Sequence, residues 1–426
     1  MSDHIDKSSI TFLSGSAGEL DWVLPILDDL LLKGFTNHIC CLTPEVQDSI
    51  NQNKLLREYI NRSSKKIFVH ECFSSSPKIF DQLVYYFHRI SVKLGLRKFF
   101  FTKRVISAID SVLTNYFLQR MPKNIYLVRH SKNLIFTEFP TIRRPLNIWL
   151  KKNFKNSLFF YIPHSPHFYS ENINDEFSEG PHIDYSYDSF LLLGHPLDHL
   201  YLEKLYDFSN LETVFLGHPK YSKKWLEDIK ARSAPSKVSR EEINIFVISR
   251  GVGSYLTEEK HQYLVQSTYD TIKSNFSNYN LLIKKHPREL NSAWDYCTEI
   301  DQFTNYTDEH ILQAAADADL VISFWSSGAM DCFALGVPVI EFFNPDLSSF
   351  QQVQLGNSKY TTIYRLLGCV LEANDQIELT SQILELKKNN FYASKSQTHP
   401  RMLDLLDRSN SWEQHFAKIL HKNDLL

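Results

Sequence analysis

The sequence has few cysteines, and none of them stands in a metal-binding or redox pattern. Its six cysteines are scattered over 426 residues, and no two of them form a Cys-x-x-Cys pair. A zinc site or a thioredoxin-like redox motif is therefore not expected. The adjacent Cys40 and Cys41 lie in the apolar run HICCL, where we expect both side chains to pack in a strand.

Long apolar runs, a secretion signal and a strong net charge are also missing. The N-terminal segment MSDHIDKSS carries acids and lacks the apolar core of a signal peptide. No apolar run approaches the roughly 20 residues that a membrane-spanning helix needs. The formal net charge of −3 creates no global field that favours nucleic acid. We therefore expect a cytoplasmic protein that does not bind nucleic acid.

The chain does contain a regular alternation of short apolar segments and amphipathic segments. Hydrophobic residues make up 43% of it and charged residues 22%, which is typical of a folded globular protein. Apolar runs of strand length alternating with runs of helix length predict parallel sheets with helices on both faces. The predicted strands cover residues 9–15, 38–43, 65–71, 125–130, 134–139, 158–164, 189–194, 213–217, 243–251, 279–287, 318–324 and 337–343.

The length of the chain suits two domains, because 426 residues exceed what one hydrophobic core usually supports. A polar segment with the turn-like sequence RSAPS marks the junction. We expect an α/β protein with two Rossmann-like domains and a central cleft. The predicted parts are an N-terminal domain 1–219, a linker 220–242, a C-terminal domain 243–400 and a helical tail 401–426. Ligands of such sheets bind beyond the carboxyl ends of the strands.

The clearest local pattern is a strand, a serine-rich turn and a short helix within residues 318–343. Ser326, Ser327 and Gly328 form the turn. Serines at a helix N-terminus cap backbone N–H groups, and those groups together with the helix dipole also attract phosphate. A glycine lets an anion approach the backbone closely. The pattern fits either a phosphate site or a plain serine-capped helix.

The strand one helix upstream ends in a cluster of cations and a His-Pro pair, in the sequence LLIKKHPR. We expect this strand to neighbour the strand 318–324, so that both end at the same edge of the sheet. The cations and the imidazole would then face an anion held at the serine-rich turn, while the proline fixes the backbone. A solvated strand end is the alternative. The candidate donor-binding residues here are Lys285, His286, Pro287 and Arg288.

The first strand and helix supply candidates for acid–base chemistry. A loop with Gly15, Ser16 and Gly18 joins them, and its small residues suit close approach of a ligand or acceptor. Glu19 lies near the helix start. It is either a general base facing the cleft or an acid that complements the helix dipole. Asp21 is a second candidate for the base.

Two further titratable residues end strands. His164 ends an apolar strand of the N-terminal domain, as a catalytic or acceptor-contacting imidazole or as an ordinary loop histidine. Glu341 ends the strand after the serine-rich helix, where a carboxylate would bind ribose hydroxyls or pair with a cation. No Asp-x-Asp pair lies at a strand end, so no metal site is expected.

A basic, aromatic-rich stretch covers residues 82–155. It contains fifteen Lys and Arg, against only Asp110 and Glu138 as acids. A basic surface with interleaved Phe and Trp suits an anionic membrane face or a lipid-linked acceptor. No recognised nucleic-acid motif accompanies it. We expect residues 89–155 to contact the inner-membrane surface, with a solvated basic face as the alternative.

The motifs KKHPR and SFWSSG, within two Rossmann-like halves, resemble those of GT-B glycosyltransferases that use cytidine nucleotides. Bacterial polysialyltransferases and the capsule or lipopolysaccharide Kdo transferases carry a His-Pro and a Ser-Ser motif in this order. The resemblance implies that His286 and Pro287 contact the cytidine nucleotide. It also implies that Ser326 and Ser327 contact the phosphate of that nucleotide, and that Glu19, in the segment GELDW, is the general base.

The function that the resemblance implies is metal-independent, inverting glycosyl transfer with no resident cofactor. A sialic acid or Kdo residue would move from a CMP-sugar to a glycan or glycolipid acceptor in bacterial surface polysaccharide synthesis. Three alternatives stay open. They are a CDP-polyol phosphotransferase of the teichoic-acid polymerase type, a UDP-sugar 2-epimerase-like isomerase, and a non-catalytic membrane-docking protein.

Overall fold

The structure is a computed structural model, and it describes most of both predicted domains. The described residues are 7–13, 17–62, 66–72, 125, 132–139, 144–163, 189–203, 208, 211–233, 242–252, 256–286, 289, 292–345, 353–355, 359–392 and 398–426.

The N-terminal domain contains a seven-stranded sheet in the order β3-β2-β1-β4-β5-β6-β7, and all neighbouring strands are parallel. The strands are β1 (Ser8–Leu13), β2 (Thr36–Cys41), β3 (Ile67–Glu71), β4 (Leu134–Phe139), β5 (Leu158–Pro163), β6 (Ser189–Leu193) and β7 (Glu212–Phe215). The described helices are α1 (Ala17–Leu32), α2 (Pro44–Gln52), α3 (Lys54–Arg62), α4 (Arg144–Asn153) and α5 (Pro196–Leu202).

The C-terminal domain contains a six-stranded parallel sheet in the order β10-β9-β8-β11-β12-β15, and β13 and β14 form a separate antiparallel pair. The strands are β8 (Ile243–Ile248), β9 (Tyr279–Lys284), β10 (Thr304–Tyr306), β11 (Leu320–Ser323), β12 (Val339–Phe342), β13 (Val353–Leu355), β14 (Lys359–Thr361) and β15 (Leu371–Ala373).

The remaining helices follow the first sheet along the chain. They are a 3₁₀ turn (Pro219–Tyr221), α6 (Lys223–Arg232), α7 (Glu258–Asn275), α8 (Trp294–Ile300), α9 (Ile311–Ala316), α10 (Gly328–Leu335), α11 (Ile363–Leu366), α12 (Gln376–Lys388) and α13 (Pro400–Lys422).

Each sheet reverses the direction of its crossovers at one point, between β1 and β4 in the first sheet and between β8 and β11 in the second. A reversal of this kind opens a crevice at the carboxyl ends of the strands. The prediction of an α/β protein with two Rossmann-like domains is confirmed. The prediction that β9 neighbours β11 is wrong, because β8 lies between them. Both still end at the same edge, since each pairs with β8 in parallel.

The predicted linker 220–242 contains helix α6, which its polar composition concealed. Trp225, Leu226 and Ile229 are buried on one face of this helix, and its charged residues cover the other faces. Three apolar side chains at this spacing suffice for an amphipathic helix of ten residues. The chain thus passes from the first sheet to the second through a packed helix.

The last helix, α13, returns to the N-terminal domain. The ring of Phe416 lies 5.4 Å from that of Phe160 and 6.3 Å from that of Phe136, measured between centroids. Gly217 adopts a left-handed φ of 68°, and a Cβ there would lie 2.3 Å from the backbone nitrogen of Ser409. The predicted helical tail is therefore a packed element that connects the two ends of the chain.

Two buried histidines face each other across β2 and β3. Nδ1 of His38 lies 3.0 Å from Nε2 of His70, and the two rings are nearly parallel, with an angle of 16° between them. Burial, and to a lesser extent the neighbouring His70, lowers the pKa of His38 to about 4. Burial also lowers the pKa of His70.

We expect the free energy of unfolding to fall as the pH is lowered from about 6.5, the ordinary histidine pKa, to about 4, the pKa of folded His38. Over this range the unfolded chain binds protons that the folded chain does not, so stability is complete above it and is lost on acidification. Part of this decrease in the free energy of unfolding comes from His195, because burial also lowers its pKa to about 4.

His38→Gln removes one of these proton sites and should make the decrease of Tm between pH 7 and pH 4.5 shallower. The matched control is His415→Gln, which changes an exposed histidine of α13 and should leave the pH profile as it is. Identical pH profiles for wild type and His38→Gln would contradict the assignment.

Candidate functional site

The candidate site lies at the crevice of the second sheet, where β8 and β11 end side by side. Arg250 and Gly251 follow β8, and Trp325, Ser326 and Ser327 follow β11. These two turns flank the point at which the crossovers reverse. In open parallel sheets, this is the place where ligands bind.

The turn after β11 has a strained backbone that its neighbours hold in place. Trp325 has a φ of 58°, a left-handed conformation that costs a bulky residue about 1–3 kcal/mol. The guanidinium of Arg250 lies 4.6 Å from the Trp325 ring centroid, and its Nη1 donates to the Trp325 carbonyl oxygen at 2.6 Å. Phe343 stacks on the same indole with a centroid distance of 5.2 Å. The turn is therefore fixed before any ligand arrives.

The residues of the serine-rich turn have different roles. The Ser326 hydroxyl accepts a hydrogen bond from the Gly328 nitrogen at 3.3 Å, so Ser326 caps the helix α10. Ser327 is exposed, and within the described residues its hydroxyl makes no capping hydrogen bond. A Cβ on Gly328 would lie 2.6 Å from Cδ1 of Ile311. Close packing against α9 is thus one reason for this glycine, and the approach of an anion to its backbone stays a prediction.

The loop after β9 reaches the same edge but directs one of its cations elsewhere. The Lys285 ammonium lies 4.0 Å from the Tyr306 ring centroid and 3.5 Å from Oδ1 of Asp295, on the β10 side of the sheet. The expectation that Lys285 faces an anion at the serine-rich turn is therefore wrong for this structure. His286 is half-buried, and its backbone nitrogen donates to Oε2 of Glu289 at 3.3 Å.

Glu341 is paired with a cation inside the protein. Its carboxylate is fully buried and accepts hydrogen bonds at 2.7 Å from both Arg365 Nε and Thr362 Oγ1. Burial raises the pKa of Glu341, while Arg365 and Thr362 oppose that rise. Of its two predicted roles, pairing with a cation is observed. Ribose binding is not supported, because the carboxylate is inaccessible.

Asp21 belongs to a charge network that joins the two domains. Its carboxylate oxygens lie 2.9 Å from the Lys220 ammonium and 2.9 Å from Nε2 of His310. The same ammonium lies 2.9 Å from Asp331, whose Oδ1 also accepts a hydrogen bond from the Tyr221 hydroxyl at 2.8 Å. The interdomain charge network therefore draws on α1, the 3₁₀ turn, the start of α9 and the first turn of α10.

The network makes Asp21 a poor general base. Burial by itself would raise the pKa of Asp21, but His310 and Lys220 together bring it well below its ordinary value. A carboxylate with a lowered pKa takes up a proton with difficulty near neutral pH. Glu19, in the first turn of α1, is fully buried, and its role as base stays a prediction. Gly18 is exposed at the same helix start.

Several predicted site residues lie outside the described residues, and their roles stay predictions. They are Gly15, Ser16, His164, Pro287, Arg288 and most of the membrane-contacting stretch 89–155. Across the described parts of the chain, no group of three or more His, Cys, Asp or Glu is placed to hold a metal ion. In the same parts, no helix combines the length and apolar character needed to cross a bilayer.

Sequence reasoning missed Arg250 and Lys220. Arg250 directly follows the strand run INIFVIS. The criterion used for KKHPR, a cation directly after a predicted strand, would therefore have identified Arg250. Lys220 follows a second His-Pro pair, at 218–219. Its importance depends on contacts with residues far away in the chain, which no local pattern shows.

No protein-family model and no curated protein sequence matches this chain. Solved structures are similar to it over nearly its whole length. The UDP-GlcNAc 2-epimerase of Methanocaldococcus jannaschii has 10% identity and a TM-score of 0.53, covering 98% of this chain and 99% of that one. A putative UDP-N-acetylglucosamine 2-epimerase of Listeria monocytogenes has 9% identity and a TM-score of 0.55, covering 98% and 97%. The wall teichoic acid polymerase TagF has 10% identity and a TM-score of 0.53, covering 98% and 89%.

At these identities the likeness establishes the fold. The chain has the GT-B arrangement of two Rossmann-like domains, as the motifs implied. The epimerases and the polymerase support the GT-B part of the resemblance and leave its CMP-specific part as a hypothesis.

Lys220→Met should destabilise the protein strongly. The substitution removes the ammonium between two buried carboxylates, and breaking a buried ion pair in this way costs about 3–5 kcal/mol of the free energy of unfolding. Urea denaturation of the full chain measures the change. The control is Lys223→Met, an exposed lysine of α6, expected to stay within about 0.5 kcal/mol of wild type. If Lys220→Met lowers the free energy of unfolding by less than about 1 kcal/mol, the network does not stabilise the fold as described.

Proposed function

We propose that this chain is an enzyme acting on a nucleotide-activated sugar or polyol, whose phosphate binds at the crevice between β8 and β11. The observation that carries the proposal is that the Arg250 guanidinium binds Trp325, on the same turn that carries the exposed Ser327 hydroxyl at the start of α10. The N-terminus of a helix favours an anion, and an arginine and a hydroxyl add donors for phosphate oxygens.

The arrangement suits catalysis as well as binding. A nucleotide leaving group develops negative charge on its phosphate as its bond to the sugar breaks. Donors that are already held in position stabilise that charge without having to reorganise. The strained but fixed Trp325 turn supplies this rigidity, because its backbone is determined by Arg250 on one element and Phe343 on another.

The motif resemblance supports glycosyl transfer as the reaction, with a CMP-activated sialic acid or Kdo as the donor. The acceptor hydroxyl oxygen would attack the anomeric carbon, and the bond to the CMP oxygen would break with its electron pair staying on CMP. Glu19 would take the acceptor proton. The product is an inverted glycosidic bond, and no resident cofactor takes part.

A second candidate is epimerisation of a UDP-sugar, and the fold comparison favours it. The M. jannaschii protein named above is a UDP-GlcNAc 2-epimerase, and its fold covers 98% of this chain. Such a reaction needs no acceptor. The polymerase TagF keeps a third possibility open, the transfer of a polyol phosphate from a CDP-polyol.

The experiment that tests the proposal is a measurement of Tm with CMP, CDP, UDP and GDP. A nucleotide that binds only the folded state raises Tm. We expect a pyrimidine nucleotide to raise it and GDP to leave it unchanged. A rise with CMP favours sugar transfer, a rise with UDP favours epimerisation, and a rise with CDP alone favours polyol-phosphate transfer. No rise with any of the four contradicts the proposal.

Ser327→Ala should reduce the nucleotide-induced rise in Tm, because it removes the exposed hydroxyl at the helix start. Ser274→Ala, at the exposed end of α7, is the matched control and should keep the full rise. Equal nucleotide-induced rises in Tm for the two variants would show that the phosphate does not bind at this turn.

Glu19→Gln should keep the nucleotide-induced rise in Tm and lose catalysis. The amide preserves the shape of the side chain but cannot take a proton, and general-base catalysis contributes about 10²–10⁴-fold to rate. Product formation from a CMP-sugar and a glycan acceptor, or epimer formation from a UDP-sugar, provides the assay. The control is Glu258→Gln at the exposed start of α7. Full activity of Glu19→Gln would rule out Glu19 as the base.

A further inference from the structure

We propose that Glu289 is a positioning residue of the nucleotide site, holding the loop after β9 against the loop after β8. This inference rests on the proposed function, since both loops border the crevice to which the nucleotide phosphate is assigned. Glu289 is not part of the reaction proposed above. Its side chain is completely buried, which makes it unusual for a charged residue beside a surface loop.

The carboxylate of Glu289 is satisfied by groups from separate segments. Oε1 accepts hydrogen bonds from the Ser249 hydroxyl at 3.3 Å and from the Ser292 hydroxyl. Oε2 accepts from the backbone nitrogen of His286 at 3.3 Å. Burying a carboxylate costs free energy unless such partners replace water, so these hydrogen bonds hold the segments together. His286 is thereby attached to the end of β8.

The hydroxyl of Ser249 has only one orientation that satisfies its neighbours. Nε1 of Trp294 lies 3.2 Å from the Ser249 oxygen and can only donate. The hydroxyl therefore uses a lone pair toward the indole and directs its proton to Glu289. The end of β8, the carboxylate and the start of α8 thus form one connected chain of hydrogen bonds.

The imidazole of His261 holds Arg250 to the segment that follows Glu289. Its Nδ1 lies 3.0 Å from the Arg250 carbonyl oxygen, and because a carbonyl only accepts, Nδ1 must carry a proton. Its Nε2 accepts a hydrogen bond from the Ala293 backbone nitrogen at 3.4 Å, so it does not donate to Oε1 of Glu289, which lies 3.5 Å away. A Cβ on Gly251 would lie 2.7 Å from the Glu289 Cβ, so the two loops are in close contact.

These contacts give Glu289 an influence on both sides of the site. Arg250 fixes the Trp325 turn and the start of the phosphate site, and His286 belongs to the His-Pro motif. Glu289 accepts hydrogen bonds directly from the His286 backbone and from the hydroxyl of Ser249, the residue before Arg250. A nucleotide that needs both groups binds well only while their separation is fixed.

The test compares Glu289→Gln with Asp301→Asn. Asp301 is a buried carboxylate of the same domain, but it binds the Tyr279 hydroxyl and Thr304 at the amino ends of β9 and β10, away from the site. Calorimetric titration with CMP, CDP and UDP gives the affinity. Tm of each unliganded variant reports any general loss of stability.

We expect Glu289→Gln to weaken the binding of whichever nucleotide the wild type binds by about tenfold, the factor equivalent to one hydrogen bond to a charged group. Asp301→Asn should lower Tm and leave the affinity unchanged. Amide hydrogen exchange without nucleotide should accelerate at residues 249–252 and at residues 285, 286, 289 and 292 together in Glu289→Gln, and at neither set in Asp301→Asn.

The outcomes that overturn the inference are distinguishable. If the wild type binds nucleotide and folded Glu289→Gln binds it equally well, the positioning role fails and the proposed function stands. If the wild type binds none of CMP, CDP and UDP, both fail. Should Glu289→Gln not fold, Ser249→Ala removes the hydrogen bonds of this hydroxyl to Glu289 and to Trp294 and leaves the charge in place. It should weaken the affinity in the same direction, and unchanged affinity overturns the inference.

Discussion

The relative position of the two domains depends on one buried ammonium group. Lys220 lies between a carboxylate of the first domain, Asp21, and a carboxylate of the second, Asp331. A buried charge is tolerated only with such partners, so the pairing rules out arrangements that separate them. Asp331 stands in the first turn of α10, whose start is the candidate phosphate site. Through Asp331, the same ion pairs that fix the contact between the domains therefore also fix the position of the helix at the candidate site.

The fold class was predictable because it follows from local sequence patterns. The order of the strands depends on contacts between distant segments and was not predictable. Apolar runs of strand length alternate with helical segments, and this pattern gave the α/β class and the two domains. The sequence places β9 and β11 close in the chain, but β8 pairs with both and separates them. Helix α6 was hidden because three apolar side chains suffice to bury one face of an otherwise polar segment.

The sheet edge at which the candidate residues lie was predictable, and the contacts of their side chains were less so. A cation after a strand marks the carboxyl edge, but the direction of its side chain is set by neighbours. Lys285 points to Tyr306, while Arg250 binds the Trp325 turn. Asp21 was a candidate base in the sequence because its ion-pair partner, Lys220, is 199 residues away and could not be recognised there. Contacts of that kind follow from tertiary packing and leave no local pattern.

The return of α13 to the first domain has a consequence for synthesis. The N-terminal sheet emerges from the ribosome with Phe136 and Phe160 lacking the ring of Phe416, which is translated about 250 residues later. Domains generally fold as units while the chain is being made, and uncovered apolar surface invites aggregation. Until the second domain and α13 have been made, the first domain therefore lacks the ring that packs on Phe136 and Phe160.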